Sequence, residues 1–540
     1  MNPRRRWALL IGLVVLAGLA VLVAIRSAGP SSGATGTVEV AEPLETPTTT
    51  GPKESTTVPG GEVAEPLETP TTTGLKEFTT VPGGEQPTDK APAGAPEEVS
   101  AETATASADS TDEPPVLSAE DALAVDVEAD LQALLDSLTT GLDTEAIARL
   151  GRSGDLRVAW VIADLMRFIP PDASGLRFAF TELTGVDLGS KPWHDATNQL
   201  IAWDTPAPPG LARWKGGLYT LVELGWAPFF VDEGSLIDWR HVTWGGVLID
   251  DRPLNSTHLP CPRGCIPALN DPRLVTASEG DYYPDEAYVF SVTVNGEAVA
   301  FPKNMMEVHE MVNITIGGRR LGIPYCTLCG SAQAYFTDVV PDSVRDQLGD
   351  AGTFELRTSG LLSRSNKMMY EYHTRSMFDT FTGQAVSGPL REAAVRLPQT
   401  TMVTSRWGEW KAANPHTLIV AEDGGIGRSY PEDPLRGRDD HGPIFPIGDW
   451  DARLPVQEKV LGVLVDEGGA PTAVAFPVAE AQATLRRGGT VEHEGIVVTL
   501  DGGGLRALGP DGVETPTHES FWFAWSQFHP GTELWRPSEG

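Results

Sequence analysis

Two stretches of the chain carry the same markers in the same order. GEAVAFP at 296–302 is answered by PTAVAFP at 471–477. Farther on, Trp407-x-x-Trp410, Pro415 and Thr417 are matched by Trp522-x-x-Trp525, Pro530 and Thr532 at identical internal spacing. A chain built this way is expected to form one β-rich unit twice. The second copy is shorter, has no cysteine, and places His493 outside any His-Glu-x-x-Asn context. It reads as a shortened, degenerate partner of a first copy that carries the chemistry.

The first copy opens with Tyr288, Phe290, Val292 and Val294 alternating with smaller or polar residues, the period of a strand. Asn295-Gly296 tolerates the positive φ of a tight hairpin turn, and 297–301 is the return strand, ended by Pro302. A short helix is expected over 303–311, carrying His309 and Glu310. Gly317-Gly318 marks a second hairpin between 311–316 and 321–325, and the latter strand runs straight into Cys326-Thr-Leu-Cys329-Gly330. That pairing places His309 near the end of the neighbouring strand, within reach of Cys326 or Cys329.

Composition changes sharply along the chain. Arg4 to Arg6 precede an unbroken apolar run from Trp7 to Ile25, long enough to cross a bilayer as a helix. The charge asymmetry across it places the bulk of the chain outside the cytoplasm. Residues 1–28 are therefore expected to be a single-pass membrane anchor; with no cysteine after the helix, no lipid-modified cysteine is expected. Residues 29–115 are rich in Pro, Thr, Gly, Glu and Ala, with a 23-residue direct repeat at 40–62 and 63–85. Such a segment cannot bury enough apolar surface to offset its chain entropy, and reads as a disordered tether. Residues 116–240 turn helical, with a capping-box pattern at Ser118 and Asp121 and three-to-four spacing of Leu123, Val127, Leu131, Leu134, Leu135 and Leu138. Short helices broken by Gly-Asp and Pro-Pro fit a small helical-repeat stack or an irregular helical domain. The first β-rich unit follows at 241–420, a connector at 421–455 and the second unit at 456–540. The fold class is mainly β within α+β. A net charge of −34 excludes a nucleic-acid partner, which would need clustered Lys and Arg. It suits an exported protein, in which four cysteines are expected to form disulfides.

The chemistry admits alternatives. Cys326 and Cys329 fit a thiol–disulfide couple, a zinc or iron knuckle needing two further ligands, or a static disulfide. A thioredoxin arrangement is excluded, because 332–336 reads as a strand where that motif needs a helix. His309-Glu310 lacks the second histidine of a zinc protease, since position 313 is Asn; His309 is a candidate base or ligand beside the thiols, or a structural hydrogen-bonding residue. Six of nine methionines, Met305, Met306, Met311, Met368, Met369 and Met377, cluster near this unit. Met368 is the candidate thioether ligand for copper; core filling is the ordinary alternative. Cys261 and Cys265 are expected to close a small disulfide loop, or to supply two ligands opposite the other pair. Asn255 and Asn313 begin glycosylation sequons.

HEMVN at 309–313, PYCTLCGS at 324–331, SGLLSRSNKMMYE at 359–371, FTGQAVSGPL at 381–390 and ESFWFAWSQFHPGTEL at 519–534 together resemble an exported bacterial and archaeal family known only as a domain of unknown function. The resemblance covers roughly residues 240–537. It implies a duplicated, mainly β architecture. Some relatives are described as candidate selenoproteins, which implies redox-active chalcogen chemistry at the cysteine motif. The family brings no substrate. This chain departs from the pattern in its shortened second copy and in the extra pair Cys261 and Cys265, which weakens a four-cysteine metal site.

The reading is a membrane-anchored, extracytoplasmic protein whose site is Cys326 and Cys329 with His309. Thiol redox is the first function expected. Copper or zinc binding by the same residues with Met368, and a non-catalytic envelope module held by disulfides, are the alternatives. The protein partner is left open.

Overall fold

The apolar spacing after position 124 produces helices Val125–Ser137, Thr144–Gly151, Ala159–Met166, Leu176–Thr184, Pro192–Ala202 and Leu211–Val222. The structure, a computed structural model, describes Ser118 and residues 121–350, 352–437, 442–465 and 471–537. The expected anchor and tether, with the 23-residue repeat, lie outside the described residues. Among the described residues, no helix is long and apolar enough to cross a membrane. Asp143 caps the second helix, its carboxylate accepting from the Glu145 and Ala146 N–H groups at 3.1 and 2.9 Å. The Ser118–Asp121 pattern does not cap a helix. Asp121 accepts from the Ser118 N–H at 3.1 Å, but the helix begins only at Val125. Buried Arg157 explains the difference: its Nη1 donates to the carbonyls of both Ser118 and Asp121 at 2.7 Å, fixing that segment in another path.

The remainder is mixed helix and sheet with several sheets. Asn295 and Gly296 take the expected positive φ, and the hairpin Tyr288–Val294/Glu297–Pro302 forms with Val292 opposite Val299. It lies in a sheet of order Val403–Arg406, Tyr288–Val294, Glu297–Pro302, Leu418–Val420, Leu274–Thr276. Thr517–Phe521, Lys459–Val465, Thr472–Pro477 and Glu533–Leu534 follow the same order in a second sheet. Their registers agree residue by residue. Val403 opposite Ser291 matches His518 opposite Gly462, and the parallel pair Ile419–Ala300 matches Leu534–Ala475. Helices Trp407–Ala413 and Trp522–Phe528 follow the equivalent strands, with Trp410 Nε1 donating to Thr417 Oγ1 and Trp525 Nε1 to Thr532 Oγ1, both at 2.9 Å.

A further pair of sheets shows the same agreement. Gln399–Thr400, Ala334–Phe336, Arg319–Cys326 and Met311–Ile316 are ordered like Glu514–Thr515, Gly504–Leu508, Ile496–Asp501 and Val491–His493. The 456–540 segment thus keeps four strands in each of its two sheets. The difference in length arises mainly in the first unit. Between Ala334–Phe336 and Gln399–Thr400 the chain makes a long excursion, where the second has only a short turn between Gly504–Leu508 and Glu514–Thr515. The excursion supplies strands Leu356–Ser363, Asn366–Glu371 and Met377–Asp379, which form a sheet with Val242–Trp244. One face, with Leu361, Met368, Tyr370 and Met377, completes the core of the helical region. The other, with Leu356, Met369 and Phe378, packs with Met311 and Tyr335 of the first unit.

Candidate functional site

The site begins where strand Arg319–Cys326 ends. The chain turns through residues 327–330 and returns at Ser331–Ala332, with Tyr325 opposite Ala332 and Cys326 opposite Ser331. In the second unit the hairpin stops two pairs earlier: Asp501 opposite Gly504, joined by Gly502 and Gly503 alone, matches Pro324 opposite Gln333. The thiols therefore sit on a longer turn, whose last residue, Gly330, has φ +56°. This turn brings Cys326 Sγ and Cys329 Sγ to 2.8 Å. A disulfide is about 2.05 Å, so the two sulfurs stand in close contact without being bonded to each other. Cys329 Sγ is also 3.4 Å from the Ser365 carbonyl oxygen, and the Lys367 N–H donates to Cys326 Sγ at 3.4 Å.

The two thiols are inequivalent. Burial raises the pKa of Cys326, but the hydrogen bonds from Cys329 and the Lys367 N–H outweigh it and leave the thiol below its ordinary value. Burial, reinforced by the charge on Cys326, pushes Cys329 well up, and Lys459 offsets only part of that. Lys367 is itself buried. Desolvation lowers its pKa to about 8, against the opposing pull of Glu310 and Cys326. Its Nζ donates to the Glu310 carbonyl oxygen and lies 3.7 Å from the Glu310 carboxylate, which also accepts from Thr327 Oγ1 at 3.3 Å. Glu310, Thr327, Leu328 and Lys367 line a cleft of about 380 Å³.

The second unit braces this turn from behind. The Phe521 N–H donates to the Cys329 carbonyl oxygen at 2.8 Å. Lys459 Nζ donates to the Gly330 carbonyl oxygen and lies 4.2 Å from the Phe521 ring centroid. Both cysteines share a core with Phe381, Trp522, Phe523 and Trp525.

His309 is not beside the thiols. It ends helix Lys303–His309, and Glu310 then takes a left-handed φ of 52°, so the two side chains take different partners. Nδ1–H donates to the Pro267 carbonyl oxygen at 2.8 Å, and Nε2 accepts from the Tyr430 hydroxyl at 2.8 Å. With both nitrogens engaged, and its pKa lowered to about 4, chiefly by burial with the Arg428 charge adding, His309 is a neutral structural residue. Glu310 and Lys367 hold the position expected for it. Met368 is likewise removed from the thiols. It packs in the core of the helical region, while Met305 and Met306 fill a second core and Met311 and Met369 a third; all act as apolar filler. Asn313 is buried, donating to Asn270 and to the Leu356 carbonyl oxygen at 2.9 Å each, so only exposed Asn255 remains as an accessible sequon.

Residues 263–514 match the family DUF3179, described as a protein of unknown function. The match spans the dithiol turn, the excursion and most of the second unit, and is narrower at both ends than the resemblance read from the motifs. No curated protein and no solved structure matches the chain.

Cys261 and Cys265 are disulfide-bonded to each other and so are not thiolate ligands for a shared site. Among the described residues, no group of three or more His, Cys, Asp or Glu side chains is placed to hold a metal ion. Cys326 and Cys329 alone do not meet the four-ligand requirement of structural zinc, and the copper set with His309 and Met368 is not assembled. Glu310 and Lys367 are the charged residues beside the thiols that the sequence pattern does not single out. Glu310 stood beside His309 in HEMVN; Lys367 carried no signal beyond its place in SNKMM.

Proposed function

We propose that the chain is a dithiol–disulfide redox protein in which Cys326 is the attacking thiolate and Cys329 the resolving thiol. The observation that carries this reading is the 2.8 Å Sγ–Sγ approach of an inequivalent pair beside Lys367. The thiols are 1% and 0% exposed and sit behind the lining of the neighbouring cleft, which favours a low-molecular-weight disulfide over a broad protein surface. The Cys326 thiolate attacks one substrate sulfur. A mixed disulfide forms, and the departing thiolate takes a proton from the Lys367 ammonium. The Lys367 amine then removes the Cys329 proton, and Cys329 attacks Cys326 Sγ. The 326–329 disulfide closes and a second thiolate leaves, to be protonated by water. Two electrons pass from the dithiol to the substrate, which is released as two thiols.

Export and membrane anchoring support this chemistry: Arg4 to Arg6, the apolar run to Ile25 and the Cys261–Cys265 disulfide all suit an extracytoplasmic setting. The matched strand orders support a duplicated β unit in which the second copy braces the reactive turn of the first. A second reading, a static disulfide, is favoured by the aromatic core around both sulfurs.

The test uses the reduced full chain with hydroxyethyl disulfide. The expected result is loss of two hydrogens at Cys326 and Cys329, and a stable mixed disulfide on Cys326 in Cys329→Ser. A pair that stays reduced, or a 326–329 bond that resists dithiothreitol while the chain is folded, overturns the redox proposal.

A further inference from the structure

A second cavity lies on the seam between the two β units, lined by different residues from those of the dithiol cleft. It measures about 390 Å³, within the range of small-molecule sites. The first unit supplies Tyr288, Phe290, Tyr325, Thr404 and Arg406; the second supplies Lys459, Gln482, Arg486 and Glu519. Thr404 and Glu519 occupy corresponding positions in the two matched sheets, since Thr404 pairs with Phe290 as Glu519 pairs with Leu461. The cavity therefore sits where the two copies face each other at equivalent strands.

Three features define what it would hold. Glu519 is 6% exposed, and its Oε1 has no hydrogen-bond partner. A buried carboxylate oxygen left unpaired is costly, and a ligand hydroxyl would satisfy it. Phe290 and Tyr325, with ring centroids 4.8 Å apart, form an aromatic wall suited to a flat apolar body. The polar rim carries Arg406 and Arg486 against Glu409, an excess of positive charge; Lys303, also on the rim, is ion-paired with Glu307. Arg486 and Glu409 pair at 2.9 Å with both side chains about half exposed, so that pair is able to open to an acid.

We propose that the seam cavity binds a small hydroxyaryl carboxylic acid, with its hydroxyl donated to Glu519, its ring against Phe290 and Tyr325, and its carboxylate at the Arg406–Arg486 rim. Occupancy bridges the two units and does not depend on thiol chemistry.

The test is calorimetric titration of the full chain with 4-hydroxybenzoate, beside benzoate, which lacks the hydroxyl, and 4-hydroxybenzyl alcohol, which lacks the acid. The hydroxy acid is expected to bind about tenfold more tightly than either, the difference made by one hydrogen bond or one charge-assisted contact. Arg486→Glu, a change at a half-exposed residue, should weaken 4-hydroxybenzoate by at least as much and leave 4-hydroxybenzyl alcohol unchanged. Glu519→Leu should remove the advantage of 4-hydroxybenzoate over benzoate, with thermal unfolding confirming that the variant is folded. Failure of 4-hydroxybenzoate to bind at millimolar concentration, or equal binding of all three compounds, overturns the proposal. So does a wild-type affinity for 4-hydroxybenzoate in Arg486→Glu.

Discussion

Lowering the pH from 7 to 5 should cost the protein about 2 kcal/mol of stability through His309 alone. The ring is fully buried, with Nδ1–H on Pro267 and Nε2 on Tyr430. Desolvation takes its pKa from 6.5 down to about 4. In the unfolded chain the ring protonates near 6.5, whereas the folded protein resists until about 4. The unfolded state therefore binds more protons throughout that window, and stability falls as pH drops through it. The loss reaches about 3 kcal/mol below pH 4, from 1.36 kcal/mol per pKa unit. The assay is urea unfolding of wild type and His309→Gln at pH 7 and pH 5. Glutamine can both donate and accept at the site, and other titrating groups cancel in the double difference. The variant should lose about 2 kcal/mol less than wild type between the two pH values. Alkylation of the reduced thiols should follow the same pH profile in both proteins. An identical pH dependence of stability would refute the neutral, structural role of His309; a shifted alkylation profile would return it to the thiol site.

The matched units make a paired prediction. Thr417→Val and Thr532→Val each remove the acceptor of a buried indole N–H and should each cost about 1–2 kcal/mol; a large cost at one site and none at the other, measured by urea midpoint, would contradict their equivalence. Lys459→Met removes the ammonium that lowers the Cys329 pKa. Stopped-flow reaction with hydroxyethyl disulfide should show slower closure of the 326–329 bond at an unchanged rate of mixed-disulfide formation, and slowing of the first step instead would place Lys459 on Cys326.

Local signals were read correctly where local forces decide the outcome. Asn295-Gly296 sets the hairpin and Gly317-Gly318 the next one. The matched Trp and Thr spacings mark a repeated pattern, and the structure adds that each second Trp donates its N–H to the Thr seven residues on. The errors arose where distant residues intervene. Arg157 takes the carbonyls of Ser118 and Asp121, so a capping pattern becomes a turn. Counting along paired strands places His309 near the thiols, but one left-handed residue at Glu310 and a hydroxyl from Tyr430, far along the chain, give it other partners. Lys367 comes from an excursion whose sheet packs on two cores at once, and no local pattern announces such a position.

The turn between Asp501 and Gly504 shows what grafting the reactive loop onto the second unit would require. A Cβ at Gly502 would lie 2.7 Å from the Trp410 ring, so substituting cysteines into that tight turn would drive side chains into the opposite unit. An engineer seeking a protein with two dithiol loops would have to lengthen the hairpin, copying 325–332 whole, and would also need counterparts to Lys367 and Glu310. The first unit obtains Lys367 from a strand that the second does not possess. Lengthening the turn provides room for thiols; the long excursion provides the charged groups beside them, and the two features would have to be transplanted together.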